Sequence, residues 1–290
     1  MKTLYTSKLV SGRCPVFVLR SGKLPSRHPL FRSVGARDQQ YLRVVEKAAK
    51  SADGVRVLVL SSGGRAIAID AGERPTFTHR RAILTMRKVI AVARKERIQK
   101  LLVSFDDFRA DGRLDPETLA EVLATQFEIA NFEFVAYKEP PKEGWCFVDA
   151  VAVFSRRDLG AALARGKVIG EEINAARILS NTPGGDMTPR KLAEAAVRVG
   201  RRAGFRVKVL DERGIAKLKM GGILGVARGS SEKPRFMVME YFKGKKSEKP
   251  VVLVGKGVTF DTGGLNLKPT EGIYEMHMDM SGGAAVIHTL

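Results

Sequence analysis

The segment from Val251 to Met280 constrains the fold of this chain more than any other stretch of its sequence. It begins with four apolar, mostly β-branched residues, Val251–Val254, bounded by Pro250 and Gly255. Such a run is typical of a fully buried strand in a parallel sheet. Polar residues begin where this strand should end, and ligands in open α/β sheets bind at the carboxyl ends of strands. The sequence therefore predicts a functional site directly after the strand.

Four charged residues follow on a glycine-rich stretch: Lys256, Asp261, Lys268 and Asp279. Burying such charges singly is costly, so they must neutralise one another or share a partner. Carboxylate oxygens are hard ligands that suit zinc, manganese or magnesium, and a neutral lysine amine can also coordinate a metal. The pattern indicates a cation site, with ordinary surface charges in a flexible loop as the alternative.

The order of motifs in this segment resembles the leucyl (cytosol) aminopeptidase family. In that family a strand ending in Val-Gly-Lys-Gly precedes Thr-Phe-Asp-(Ser/Thr)-Gly-Gly, a lysine seven positions beyond the aspartate, and Asp-Met-x-Gly-Gly-Ala. These elements lie here at Gly255–Gly257, Thr259–Gly264, Lys268 and Asp279–Ala284. Asn174–Leu192 resembles a second landmark of the family, so the resemblance extends from about Ala161 to Leu290.

The resemblance implies a metallopeptidase with two divalent metal ions per subunit, manganese, zinc or magnesium. Lys256, Asp261 and Asp279 would bind one ion, with Asp261 bridging to the second, and a bridging water would attack the scissile carbonyl. Lys268 would polarise that carbonyl and stabilise the oxyanion. The free α-amine of a peptide would bind a metal, so only the N-terminal residue, of leucine type, would be removed. Met276 resembles a position that lines the pocket for this residue, with plain core packing as the alternative.

The same resemblance implies a further motif, Asn-Thr-Asp-Ala-Glu-Gly-Arg, which supplies two more carboxylates and an arginine that holds a bicarbonate. This motif does not occur in the 290 residues. We therefore expect a chain ending at Leu290 to bind metal weakly and to have little or no peptidase activity. His277 and His288 lie near the predicted ligands, but a lone histidine is more often structural, so we do not expect them to replace the missing donors.

The length of 290 residues and the 44% hydrophobic content predict two domains. We place an N-terminal α/β domain at residues 1–157 and a catalytic metallopeptidase domain, incomplete at its C-terminus, at residues 158–290. The sequence has no apolar run long enough to span a membrane and no apolar signal core, which predicts a cytoplasmic protein without a membrane partner. Cys14 and Cys146 form no CxxC pair, which favours reduced, structural thiols.

The strong positive charge supports a second class of function. Fifty lysines and arginines stand against 31 aspartates and glutamates, a formal net charge of +19. Such an excess favours non-specific binding to nucleic acids. The densest basic stretch, between Arg80 and Lys100, alternates with apolar residues and predicts an amphipathic helix with a solvated basic face. A basic nucleic-acid-binding protein without catalysis is therefore the alternative, since a DNA-binding role is known for some bacterial members of the family. The resemblance also implies peptide substrates and a homo-hexamer.

Strand and helix signals alternate along the chain, which indicates an α/β fold: an N-terminal mixed sheet, then a catalytic domain with a central, largely parallel sheet. The predicted strands are Pro15–Leu19, Arg56–Leu60, Leu101–Phe105, Val148–Phe154, Phe205–Leu210, Ile223–Ala227, Phe236–Tyr241 and Val251–Val254. The predicted helices are Gln39–Ala52, Ala82–Arg97, a helix after the Asp115-Pro116 cap to about Ile129, Leu159–Leu179, a helix after the Thr188-Pro189 cap to about Ala203, and a short helix capped by Asp211.

One further reading concerns the tripeptide Asp261-Thr262-Gly263. After an apolar strand, it also resembles the catalytic loop of aspartic proteases, in which two aspartates share a proton. That reading requires an all-β fold and a second copy of the loop. The predicted helices and the nearby Lys256 count against it.

Overall fold

The structure is a computed structural model that describes residues 1–21, 23, 28–45, 54–110, 114–242, 244 and 247–290. The chain divides into two compact units, Met1–Glu171 and Glu172–Leu290. The division falls inside the long helix that follows residue 157, and the domain boundary predicted at 157/158 stays a prediction. The predicted helix Gln39–Ala52 coincides with a helix that is described to Val45, and its remaining residues lie outside the described ranges.

The first unit is built on one six-stranded sheet. Its strands are β1 (Lys2–Thr6), β2 (Cys14–Leu19), β3 (Val55–Val59), β4 (Arg65–Asp70), β5 (Lys100–Ser104) and β6 (Ala150–Phe154). They lie in the order β1-β6-β5-β2-β4-β3, and every neighbouring pair is parallel except β3 with β4. The β3–β4 connection is a tight turn at Ser61–Gly64, where Gly63 adopts a φ of 79° that favours glycine. Sequence analysis missed β1 and β4.

Helices cover both faces of this sheet. They are α1 (Ala36–Val45), α2 (His79–Lys95), α3 (Pro116–Ala130) and the first part of α4 (Gly160–Asn181). Because side chains alternate along a strand, Val16 and Val18 of β2 pack with α2, α3 and α4, whereas Phe17 and Leu19 pack with α1 and the 3-10 turn Pro29–Ser33. The result is a sheet between two helical layers, the arrangement that a mostly parallel sheet requires.

Local capping explains where these helices begin. Asp115 accepts a hydrogen bond from the amide of Thr118, with Pro116 in the first turn of α3, as the sequence predicts. Thr78 caps α2 in the same way. The predicted amphipathic character of α2 is confirmed, since its apolar face is buried and Arg80 and Arg87 are exposed.

The second unit contains mostly helices. Its elements, after the end of α4, are α5 (Pro189–Ala203), β7 (Arg206–Leu210), α6 (Glu212–Lys217), α7 (Gly221–Ala227), β8 (Phe236–Glu240), α8 (Thr270–Ile273) and α9 (Ser281–Ile287). The predicted caps Thr188 and Asp211 both accept amide hydrogen bonds at the starts of α5 and α6. Leu192 and Ala196 of α5 form the core of this unit together with Ala284 and Ile287 of α9.

Two predicted strands of the second unit are wrong. Residues 251–254 form no strand, and their exposed fractions are 89, 74, 50 and 92%. An apolar, β-branched run becomes a buried strand only where neighbouring strands pair with it, and such pairing is not encoded locally. Ile223–Ala227 lies in the helix α7, because a short apolar run suits either structure. Within the described part of this unit, the sheet is the antiparallel pair β7–β8.

The predicted α/β class is confirmed by the mixed, mostly parallel sheet and its helical layers. The all-β setting that the aspartic-protease reading requires is therefore not present in the described residues. Of the helices that the structure describes, none has the length and apolar character needed to cross a membrane.

Candidate metal site

Lys256 and Asp279 form the first half of the candidate site. The Nζ atom of Lys256 lies 2.8 Å from Oδ1 and 2.6 Å from Oδ2 of Asp279. Lys256 comes from the loop after Val251–Val254, and Asp279 lies two residues before α9. The two segments touch through their backbones, since the amide of Gly283 in α9 donates to the carbonyl of Lys256 at 2.6 Å.

Glycines make this close approach possible. A Cβ atom on Gly255 would lie 2.4 Å from the carbonyl oxygen of Gly282, and one on Gly283 would lie 2.9 Å from the carbonyl oxygen of Lys256. Neither contact is compatible with a side chain unless the backbone moves. The glycines on both segments therefore let the loop that carries Lys256 lie directly on the start of α9, close to Asp279.

Asp261 and Lys268 form the second half. Nζ of Lys268 lies 3.2 Å from Oδ2 of Asp261, and the amide of Gly263 donates to Oδ1 at 2.9 Å. The loop folds back because the amide of Lys268 donates to the carbonyl of Thr262 at 2.9 Å. Gly263 has a φ of 90°, and a Cβ there would lie 2.5 Å from the carbonyl oxygen of Asn266. Only glycine fits this turn.

The two pairs are electrostatically linked. The hydrogen bond from the Gly263 amide lowers the pKa of Asp261, and the hydrogen bond and charge of Lys268 and the charge of Lys256 lower it further. Asp261 is therefore ionised at neutral pH, which is the state that binds a cation. Lys256 acts on both carboxylates, since it touches Asp279 and its charge also acts on Asp261.

The donor set fits one divalent cation in part. Oδ2 of Asp279 is buried and has no well-oriented hydrogen bond from any described residue, so its contact with Lys256 is a charge contact that leaves a lone pair free. Lys256, paired as an ammonium, would have to lose a proton to become a ligand. Among the residues that the structure describes, no group of three or more histidine, cysteine, aspartate and glutamate side chains is placed to hold a metal ion.

The remaining predicted residues have different surroundings. Met276 is half-buried in the 3-10 turn Met276–Met278, and its role in substrate binding stays a prediction. His277 is half-buried in the same turn. His288 is bonded through Nδ1 to Glu172 at 2.7 Å, which is the structural role that the sequence favours for it. Sequence analysis missed this contact, because only the fold brings residues 116 positions apart together.

Comparison with known proteins identifies the segment that carries this geometry. Residues 174–290 match the sequence profile of the cytosol aminopeptidase family, catalytic domain. The chain is 36% identical over 254 residues to a probable cytosol aminopeptidase of Aromatoleum aromaticum, covering 84% of this chain and 50% of that protein. It is 34% identical over 253 residues to a probable cytosol aminopeptidase of Bacillus subtilis, covering 86% of this chain and 50% of that protein.

Solved structures show the same fold. The cytosol aminopeptidase of Coxiella burnetii matches with a TM-score of 0.70 at 24% identity, over 98% of this chain and 56% of that one. The bottromycin maturation enzyme BotP, solved in complex with Mn, matches with a TM-score of 0.71 at 24% identity, over 96% of this chain and 55% of that one. The chain thus spans about half the length of the curated relatives it matches. Taken with the motifs around Lys256 and Asp279, these matches show that residues 174–290 are similar in sequence to the catalytic domain of the cytosol aminopeptidase family.

Proposed function

We propose that this chain contributes metal ligands and a catalytic lysine to a metal-dependent aminopeptidase that removes the N-terminal residue, of leucine type, from peptides. The observation that carries the proposal is the presence of two Lys–Asp pairs, with the charge of Lys256 acting on both carboxylates, in the segment that matches the family's catalytic domain. The buried Oδ2 atom of Asp279, which has no well-oriented hydrogen bond from a described residue, supports it further.

Lys256, Asp261 and Asp279 would hold a pair of divalent cations. When bound, such a pair of ions supplies Lewis-acid chemistry: it lowers the pKa of a water molecule and polarises a carbonyl. The low pKa of Asp261 supports its role, because the carboxylate needs no proton removed before it binds. Two carboxylates and one amine are few donors for two ions, and we expect weak metal binding and little or no activity from these 290 residues alone.

Lys268 would then act on the substrate. It is paired with Asp261 and its side chain is 31% exposed. With Asp261 holding a cation, the Lys268 ammonium would donate a hydrogen bond to the scissile carbonyl oxygen. A single donor of this kind stabilises an oxyanion by roughly 3 to 4 kcal/mol.

Asp261→Asn tests the ligand assignment. We expect this variant of the 290-residue chain to bind Mn²⁺ at least about tenfold more weakly than wild type, because an amide is a poorer ligand than a carboxylate. The measurement is the loss of the free Mn²⁺ electron paramagnetic resonance signal on titration. Asp149→Asn, at an exposed position in the first unit, is the matched control. Equal Mn²⁺ affinity in wild type and Asp261→Asn would contradict the proposal.

Nucleic-acid binding is a second candidate, and the exposed basic face of α2 favours it. Arg80, Arg87 and Lys95 are exposed on one helix of a chain with a net charge of +19. Binding to duplex DNA should then weaken with salt with a slope equivalent to several phosphates. Replacing these three residues by glutamine should reduce that slope. A slope that stays unchanged in the triple variant would exclude α2 as the contact surface.

A further inference from the structure

Three side chains join α4, α5 and the end of α9 in the second unit. Nδ1 of His288 lies 2.7 Å from Oε2 of Glu172, and Nη2 of Arg202 lies 2.7 Å from both carboxylate oxygens of Glu172. Because a carboxylate only accepts hydrogen bonds, Nδ1 of His288 carries the proton. The side chain of His288 is 7% exposed and that of Glu172 is 28% exposed, so their contact is partly buried. We call Glu172, Arg202 and His288 the Glu172 cluster.

Both parts of the first Lys–Asp pair depend on α9. Asp279 precedes this helix by two residues, and the side chain between them, Met280, is fully buried in the core of the unit. Lys256 is held to α9 through its carbonyl, which accepts the Gly283 amide. A shift of α9 would therefore move Asp279 and its contact with Lys256 together.

Helix α9 cannot fix its own position. It has only seven residues, and a helix this short is not stable in isolation. Its apolar contacts lie on one stripe formed by Met280, Ala284 and Ile287. Such a stripe fixes how the helix is rotated about its axis, but it does not fix where the helix lies along that axis. A charge-assisted hydrogen bond has a preferred geometry and length. The bond from His288 to Glu172 is placed to supply the missing constraint at the far end of α9.

We propose that the Glu172 cluster is a positioning device that holds α9, and through it the Lys256–Asp279 pair, in the geometry that binds a cation. That this geometry binds a cation rests on the proposed function. That the Glu172 cluster holds α9 in place does not depend on it. Glu172, Arg202 and His288 are positioning residues, because they touch neither Lys256 nor Asp279. Outer groups that orient metal ligands typically contribute about 10- to 100-fold to metal affinity.

The first test measures hydrogen exchange at the Gly283 amide, which reports on the docking of the Lys256 loop to α9. In His288→Ala this amide should exchange at least about tenfold faster than in wild type, because opening of α9 then costs less. His288→Asn should restore slow exchange, since its side-chain amide nitrogen can take the place of Nδ1. Glu194→Ala is the matched control: it removes an exposed ion pair with Arg190 on α5, and should leave Gly283 unchanged. Unchanged exchange in His288→Ala would overturn the inference.

The second test measures Mn²⁺ affinity in the same variants, again with the full 290-residue chain. His288→Ala should bind about tenfold more weakly, and His288→Asn should bind like wild type. Thermal unfolding of each variant shows whether the unit still folds. If wild type binds Mn²⁺ and His288→Ala binds it equally well, the positioning role is wrong. If wild type binds no Mn²⁺, the proposed metal site fails, while the exchange of Gly283 still decides whether the Glu172 cluster positions α9.

Discussion

At the scale of single residues, the candidate site requires glycine at particular positions as much as it requires its charged residues. Gly283 lies in α9, and a Cβ there would lie 2.9 Å from the Lys256 carbonyl oxygen and 3.3 Å from the Cα of Gly257. Gly222 lies in α7, and a Cβ there would meet nothing within 4 Å. The two positions therefore separate the cost of a close backbone contact from the intrinsic preference of alanine for helices.

Gly283→Ala should lower the free energy of unfolding by about 1 to 3 kcal/mol, because the added methyl group pushes the Lys256 loop away from α9. Gly222→Ala should instead raise it by up to about 1 kcal/mol, since alanine suits a helix better than glycine and the space is open. Urea unfolding followed by circular dichroism measures both changes. Equal effects of the two substitutions would show that the contact between Lys256 and Gly283 is not close.

A buried acid in the first unit gives the stability a dependence on pH. Burial raises the pKa of Asp107, and the hydrogen bond from His28 and the positive charge of Arg20 only partly offset this. Nε2 of His28 lies 2.8 Å from Oδ1 of Asp107, and Nδ1 of His28 accepts the Leu30 amide, so Nε2 carries the proton. The ionised form of Asp107 is thus the unfavourable one in the folded protein.

The sign of the effect follows from the raised pKa. Protonated Asp107 contributes stability below its unfolded pKa of about 3.9, and this contribution is lost as the pH rises through the folded value. Asp107→Asn keeps a neutral acceptor for His28, and its side chain does not titrate, so the variant does not lose this contribution to stability as the pH rises. Unfolding free energies of Asp107→Asn and wild type, measured from pH 4 upward, should therefore diverge in favour of the variant, by about 1.4 kcal/mol per unit of raised pKa. Parallel curves would contradict the raised pKa.

At the scale of elements, local signals predicted the capped helices and six of the eight strands that the structure describes, and they failed where a strand depends on distant partners. The caps at Asp115 and Thr188 lie where the sequence predicts them, because a cap and its helix are neighbours in the chain. The strand β4 was missed, and residues 251–254 form no strand, because pairing depends on partners that are distant in sequence.

The residues of the candidate site were predictable from the sequence, but the contacts between them were not. The sequence gives the types of the charged residues and their order along the chain. Which lysine pairs with which aspartate does not, because that depends on how two loops fold back. Lys256 reaches Asp279 through the contact of its loop with α9, and Lys268 reaches Asp261 through the turn at Gly263. The Glu172 cluster, which joins three helices, was likewise beyond any local pattern.

At the scale of the whole molecule, the 290 residues expose an apolar surface that an ordinary folded unit would bury. Val251, Val252 and Val254 are 74 to 92% exposed, and Leu265 in the same unit is fully exposed. Contiguous exposed apolar residues of this kind mark contact surfaces or favour association. We therefore expect the chain to bind the dye ANS and to associate as its concentration rises.

Replacing Val252 and Val254 together by lysine distinguishes this arrangement from the buried strand that the sequence predicts. If both side chains are exposed, the double variant should bind less ANS and associate less, while its unfolding free energy changes by no more than about 0.5 kcal/mol. If they were buried in a sheet, two unpaired charges would cost several kcal/mol and the unit would unfold.

Val226→Lys, at a position 73% exposed in α7, is the matched control and should leave ANS binding nearly unchanged. ANS fluorescence, size-exclusion chromatography and urea unfolding measure these outcomes, and loss of folding in the double variant would mean that residues 251–254 are packed after all.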